Sequence, residues 1–398
     1  MSIADAPVTS APPTPRRRSW PWRRLVMVFS IIGLLFVLPW WCLAFGFADW
    51  PIAVPIVLGV IFGAAMITFP IMMMRGHGHR QLDWAARIGD TLIGVAWIFF
   101  TWSILGQLLR IPLALAGVDN RQASRIVAIA IAVVAVALVG WGHFEAMRVP
   151  RVKRLDITID RLGSGLDGTR VVVLTDTHYG PINRARWSAR VAEVVNGLDA
   201  DIVCHAGDIA DGTAEKRHEQ SAPLGTIRAR LARVYVTGNH EYYSEAQGWL
   251  DRMDALGWEC LHNRHVVVSA GGDRLVVAGI DDVTAASSGS PGHGTDLKGA
   301  LTGADRDLPV LLVAHQPKQI TETAANGVDL QVSGHTHGGQ IWPFHYLVRT
   351  DQPVVAGLSR HGERTQMYTS RGAGFWGPPM RVFAPSEITL ITLRSPAA

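Results

Sequence analysis

The densest concentration of reactive side chains lies at Ser333–Gln340, SGHTHGGQ, directly after the run Val328–Val332, which reads as a buried strand. Glycines around the two histidines let the backbone turn sharply there, so imidazoles two residues apart can reach one buried point. Histidine is the commonest side-chain ligand for transition metals. Four other apolar runs end in the same kind of chemistry. Val171–Thr175 leads into Asp176-Thr177-His178, and Ile202–Ala206 into Gly207-Asp208. Val234–Thr237 leads into Gly238-Asn239-His240-Glu241, and Val310–Ala314 into His315-Gln316-Pro317. In open α/β sheets the ligand crevice lies beyond the carboxyl ends of the strands. Two Asp, one Asn and several His at five such ends make an oxygen and nitrogen set suited to Mn, Fe, Co, Ni or Zn. That is more than one ion needs beside a substrate. Two ions about 3.5–4 Å apart, bridged by a carboxylate, would use the set and suit phosphoester hydrolysis.

The elements that must position these ends are short apolar strands at Val171–Leu174, Ile202–Val203, Val234–Val236, Leu275–Ile280, Val310–Val313 and Leu330–Val332. Helix-like stretches at 183–196, 215–231 and 244–256 alternate with them, which predicts an α/β fold with a largely parallel centre. Residues 284–299 are rich in Gly and Ser and read as a mobile loop.

Composition divides the chain of 398 residues. Residues 1–154 hold fifteen Lys+Arg against six Asp+Glu, while residues 155–398 hold 22 against 27. The acidic balance of the second part argues against nucleic acid as a partner, because neutralising phosphates needs a basic face. Three cysteines are too few for a disulfide framework. Residues 1–20, Pro-rich and ending in a basic cluster, predict a disordered tail. Four apolar segments near 25–46, 52–74, 88–109 and 126–144 each match the roughly 20 residues of a bilayer-spanning helix, with Trp40, Trp41, Trp50 and Trp141 near their ends. Arginines and lysines in the tail, in the 75–87 loop and after 147 outnumber those at 110–125 by twelve to three, which places the second part in the cytoplasm. The expected division is therefore a tail at 1–20, a membrane region of about four helices at 21–150 and a catalytic domain at 151–398.

The five strand ends together resemble the calcineurin-like metallophosphoesterase superfamily, whose pattern of D-x-H, GD, GNH-[DE], H and GH-x-H is present across roughly 168–395. The segments GHTHGGQIWP (334–343), AHQPKQ (314–319) and YTSRGAGFWGPPMRVFAPSEITLITL (368–393) are similar to its membrane-associated bacterial branch with N-terminal helices, a layout shared by vertebrate transmembrane metallophosphoesterase-domain proteins. The resemblance implies a four-layer α/β/β/α sandwich. It also implies one metal on Asp176, His178 and His337, a second on Asn239, His315 and His335, and Asp208 bridging them. His240 would bind no metal and would stabilise charge or protonate the leaving oxygen, while a metal-bridging hydroxide attacks. Glu241 stands where many members have Asp.

The expected function is a membrane-anchored dinuclear-metal phosphohydrolase acting on a phosphodiester or pyrophosphate, with a lipid-linked substrate favoured by the anchoring. An anchored phosphomonoesterase, a non-catalytic scaffold and a transporter are the alternatives. A transporter fits poorly, since Asp90 is the one acidic residue within the spans. Asp211, Asp281 and Asp282 are candidates to support the ligands. His205 lies one residue off the ligand face. His262, His265, His293, His345 and His361 read as surface or loop residues, and His77 and His79 as a solvated loop. Trp342, Pro343 and Phe344 form an apolar patch beside the site, read as core or as a lipid contact.

Overall fold

A computed structural model of the chain describes residues 22–44, 51–78 and 80–396. The tail at 1–20, Trp50 and His79 lie outside the described residues. Among the described residues, four helices are long and apolar enough to cross a membrane: α1 (Trp22–Ala44), α2 (Ala53–His77), α3 (Asp83–Gln107) continued by the short α4 (Arg110–Leu115), and α5 (Asn120–Met147). Their outward side chains, among them Phe29, Val60, Ile67, Val133 and Val136, are exposed, as surfaces that face lipid must be. α3 and α5 begin five or six residues before the apolar segments. α3 opens on Asp83 and α5 on Asn120-Arg121-Gln122, and the Asp119 carboxylate caps α5 by accepting from the N–H groups of Arg121 and Gln122. The stretch 110–125 holds α4, with Arg110 donating to Gln107, Asn120 and Ser124.

Twelve strands follow: β1 (Arg151–Thr158), β2 (Arg170–Leu174), β3 (Ile202–His205), β4 (Ala232–Tyr235), β5 (Glu259–Cys260), β6 (Arg264–Ala270), β7 (Asp273–Gly279), β8 (Val310–Val313), β9 (Leu330–Ser333), β10 (Gly357–His361), β11 (Thr365–Thr369) and β12 (Glu387–Arg394). They form two six-stranded sheets, ordered β1-β12-β2-β3-β4-β5 and β10-β11-β9-β8-β7-β6. β2, β3, β4 and β5 run parallel in the first, as do β7, β8, β9 and β11 in the second. The two-residue period of each strand explains the layering. Val171 and Val173 point between the sheets to meet Val277, Leu311 and Val332, whereas Val172 and Leu174 point outward. The outward set is covered by α6 (Ala185–Asn196) and, after the single turns α7 (His218–Ser221) and α8 (Asn239–Ser244), by α9 (Ala246–Ala255), through Trp187, Val191, Trp249 and Met253. A helical turn at Leu297–Ala300 covers the far face of the second sheet. The result is the expected α/β/β/α sandwich.

The expected helix at 215–231 is not formed. α7 gives way to a 3₁₀ turn at Ala222–Thr226 with Pro223 in its first positions, because proline cannot donate within a helix. β1 escapes a hydrophobicity reading because its exposed residues, Arg151, Arg154, Asp156 and Thr158, are polar.

The sandwich sits directly on the membrane helices. Arg381 N–H donates to the Gly142 carbonyl (2.8 Å), and Trp97 Nε1–H to the Ile341 carbonyl (3.3 Å). Trp342 and Phe344 pack against Trp102 and Trp97, so the apolar patch is a seat for α3. Arg217, buried, forks onto Asp83 at 2.7 and 2.8 Å. At Gly94 there is no room for a side chain, since a Cβ would lie 2.8 Å from Pro378 and 3.1 Å from Met380. Gly94→Leu is therefore expected to overpack this seam by about 1–3 kcal/mol. The check is a lower melting temperature in detergent together with faster tryptic cleavage at Arg371 and Arg381.

Candidate metal centre

All five strand ends meet at one buried place. Asp176 follows β2, Asp208 follows β3, Asn239 opens α8 after β4, His315 follows β8, and His335 and His337 follow β9. The turns are strained: Asp176, His178, Asp208, His335 and His337 all have φ between 42° and 68°, a region non-glycine residues enter only where the surroundings enforce it. The motif glycines make room. A Cβ on Gly207, at φ 90°, would lie 2.7 Å from Gly238 N, and one on Gly334 would lie 2.2 Å from the Asp176 carboxylate. Glu241 locks the arrangement from beneath, its carboxylate accepting from the N–H groups of Asp208, Ile209 and Gly238.

The ring nitrogens are aimed by their other halves. His315 Nδ1–H donates to the Ala206 carbonyl (2.7 Å), which turns Nε2 to Asp208 Oδ2 and Asn239 Oδ1, each at 3.1 Å. His178 Nδ1–H donates to Asp211 Oδ1 (3.1 Å), which turns Nε2 to His337 Nε2 at 3.1 Å, Asp208 Oδ2 at 3.5 Å and Asp176 Oδ1 at 4.0 Å. Asp208 Oδ2 thus stands between two groups, Asp176-His178-His337 and Asn239-His315-His335. Backbone N–H of His335 donates to Asp176, and that of His240 to Asp208 Oδ1.

Such a set fits divalent cations. With Nδ1 committed, His315 Nε2 points a lone pair at two oxygens, a contact that only a cation or proton between them makes favourable. Burial disfavours charge on His315, yet Asp208 and Asp176 push its pKa well above the usual value. Burial also raises Asp176, while Asp208, in spite of burial, is held far below the carboxylate range by His315 and His240. His335 is driven down to about 3 by burial and by His315, and His337 falls through burial, His178 and Arg381. His335 and His337 are thus neutral as metal ligation needs, while His315 would give up its proton to a cation. For His240 burial again opposes charge, but Asp208 and Asp211 outweigh it and lift the pKa to about 9.

Several supporting residues come from tertiary packing. Asp211, one of three aspartates weighed from the sequence, accepts from both His178 and His240 Nδ1 (2.7 Å). Asp281 and Asp282 hold His262 and Gln316 instead. His205 is buried on the opposite face against Tyr235 and Trp258. His262 and His293, read as surface or loop residues, lie in loops and flank buried Asp281 at 2.6 and 3.8 Å. His77, expected in a solvated loop, pairs with Asp90 at 2.8 Å. Arg381, missed from the sequence, is fully buried and reaches the His337 carbonyl (3.2 Å) and Nδ1 (3.1 Å). Its only sequence signal is a charge inside the apolar run Met380–Ala384. Because Asp211 orients a candidate ligand, Asp211→Asn is expected to weaken manganese binding by about 10–100-fold while melting stays near wild type. Metal titration followed by a melting curve checks this.

A sequence profile for calcineurin-like phosphoesterases matches residues 169–339. The chain is 32% identical over 358 residues to a zebrafish (Danio rerio) transmembrane protein with metallophosphoesterase domain, covering 87% of this chain and 80% of that one. A bovine (Bos taurus) protein of the same description is 36% identical, covering 64% and 59%. A Helicobacter pylori metallophosphoesterase is 37% identical, covering 65% and 68%. Set beside four membrane-length helices and the clustered ligand set, these relationships show that the chain belongs to the calcineurin-like phosphoesterase family and is a membrane-anchored, metal-dependent phosphoesterase.

Proposed function

We propose that the protein hydrolyses a phosphodiester or pyrophosphate bond at a centre of two divalent ions drawn from Mn, Fe, Zn, Co or Ni, and that it does so at the membrane surface. The observation that carries this reading is Asp208 Oδ2, which lies 3.5 Å from His178 and 3.1 Å from His315 and so faces both ligand groups at once. One ion would be held by Asp176, His178 and His337, the other by Asn239, His315 and His335, with Asp208 shared. Bound there, the ions would supply Lewis acidity toward a phosphoryl oxygen and lower the pKa of a water.

The chain's own residues do the rest. The glycine-lined turns hold the ligands rigidly. Asp211 accepts a hydrogen bond from His240 Nδ1–H, which leaves Nε2 free for substrate. In spite of burial, Asp208 and Asp211 raise the pKa of His240, so the ring can carry a proton on Nε2 and give it to the departing oxygen. Catalytic chemistry belongs to residues 151–398, and residues 21–150 form the anchor. Arg75, Arg80, Arg87, Arg148 and Arg151 flank the spans on the side of the sandwich, which supports a cytoplasmic position for it. A cysteine at exposed position 269 is expected to resist impermeant reagents in intact cells; labelling from outside would reverse the orientation.

The full chain loaded with manganese is expected to turn over bis-nitrophenyl phosphate, with chelation abolishing the rate. Asp208→Asn should lose measurable turnover. His240→Ala should keep its metals and lose about 10²–10⁴-fold in kcat. Full activity in Asp208→Asn would sink the mechanism, and a preference for nitrophenyl phosphate would make the protein a monoesterase.

A further inference from the structure

Away from the candidate metal centre, three loop residues gather around one carboxylate. His262 lies in the turn between β5 and β6, Asp281 just after β7, and His293 in the Gly- and Ser-rich stretch 284–299. Asp281 is 1% exposed, and each of its oxygens faces a different ring. Oδ1 lies 2.6 Å from His262 Nδ1, and Oδ2 lies 3.8 Å from His293 Nδ1. The two ring centres are 4.7 Å apart. The His293 ring is 3% exposed and is aimed from outside. Its Nε2–H donates to the Gln247 amide oxygen (3.2 Å), so Nδ1 presents a lone pair inward, where the Tyr242 hydroxyl reaches it at 3.1 Å. Gly294 N–H holds Asp281 Oδ2 at 3.1 Å, and Asn263 Nδ2–H ties the Gly294 carbonyl to the turn at 2.6 Å.

A hydrogen bond to a buried aspartate accounts for His262 alone. Burial keeps His293 neutral by lowering its pKa, and with Nε2–H given to Gln247 the ring has no proton left for Asp281. Its lone pair and Oδ2 therefore face each other, a contact that a cation between them would make favourable. Two imidazole nitrogens and a carboxylate oxygen are a ligand set for divalent transition ions. The three donor atoms lie within 4.8 Å of one another. Donors at about 2.1 Å from a tetrahedral ion are about 3.4 Å apart. Opening the 2.6 Å contact and closing the 3.8 Å one, each by less than about 1 Å, meets that spacing.

We propose that His262, Asp281 and His293 hold one divalent transition-metal ion of the zinc class, separate from the candidate metal centre, and that this ion fastens the stretch 284–299 to the sandwich. The ion takes one ligand from each of three chain segments. It takes the place of the His262 Nδ1 proton, which passes to solvent, and water completes the shell beside the 35% exposed His262 ring. Tyr242 connects this place to α8, the helical turn that opens on Asn239. The site is independent of which bond the protein cleaves.

The test uses the full chain in detergent, loaded with zinc, freed of loose ion by gel filtration and assayed for metal by mass spectrometry. The wild type is expected to hold one zinc ion per chain more than either His262→Ala or His293→Gln. Glutamine keeps a hydrogen-bonding side chain at 293, so loss of the ion there reports ligation and not packing. The count is a difference between chains and stands whatever number of ions the candidate centre holds. Hydrogen exchange gives the second readout. Zinc is expected to slow exchange of the amides in 284–299 by about tenfold or more in the wild type and in Asp208→Asn, and in neither histidine variant. Equal zinc content in the wild type and both histidine variants overturns the site. Protection that vanishes in Asp208→Asn places its source at the candidate centre and overturns the site as well. One ion fewer with unchanged exchange keeps the site and overturns the fastening. Diester turnover by the manganese-loaded chain is read separately, and its absence would sink the hydrolytic reading while leaving this site in place.

Discussion

Two carboxylates, an amide and four imidazoles are forced to one point inside the sandwich, and the energetics of that burial govern everything around it. An unpaired buried carboxylate costs several kcal/mol, and lone pairs facing one another at 3.1 Å add repulsion. The fold meets this cost by giving four of these groups a second partner. Ala206 holds His315, Asp211 holds His178, and backbone N–H groups hold Asp176 and Asp208. What remains unpaired all faces inward, toward the place where a cation would sit.

Two arginines carry that centre to the membrane helices. Arg381 touches the His337 ring and carbonyl while its own backbone N–H binds Gly142 of α5. Arg217 grips Asp83 at the start of α3 and donates through Nε to the Asp211 carbonyl. The spans are therefore more than a tether. They share hydrogen bonds with the residues that orient its ligands. This arrangement explains why a phosphoesterase would keep its site against the bilayer rather than on a flexible stalk.

The candidate ligands could be read from the sequence because they cluster at the ends of apolar runs, where Asp208, Asn239 and His335 follow a glycine and His337 precedes one. Local grammar of that kind survives without coordinates. Arg381 carries no such mark. Asp211 was one of three aspartates of equal standing, and what distinguishes it is the convergence of two imidazoles on one oxygen. Helix 215–231 failed for a local reason, Pro223, which the periodicity outweighed. β1 and β12 lie far apart in sequence and pair in parallel at the edge of the first sheet, with every residue of β1 in register. No short-range pattern announces such a partner.

The sequence by itself determined the membrane-length helices, the alternating α/β order, and which side chains would be offered at the strand ends. These follow from hydrophobic period, run length and glycine placement, all local properties. Tertiary structure alone decided that the sandwich sits on α3 and α5, that Asp211 serves two histidines, and that His262 and His293 converge on Asp281. Those outcomes depend on which surfaces close against each other, and a chain encodes that only through contacts between residues distant along it.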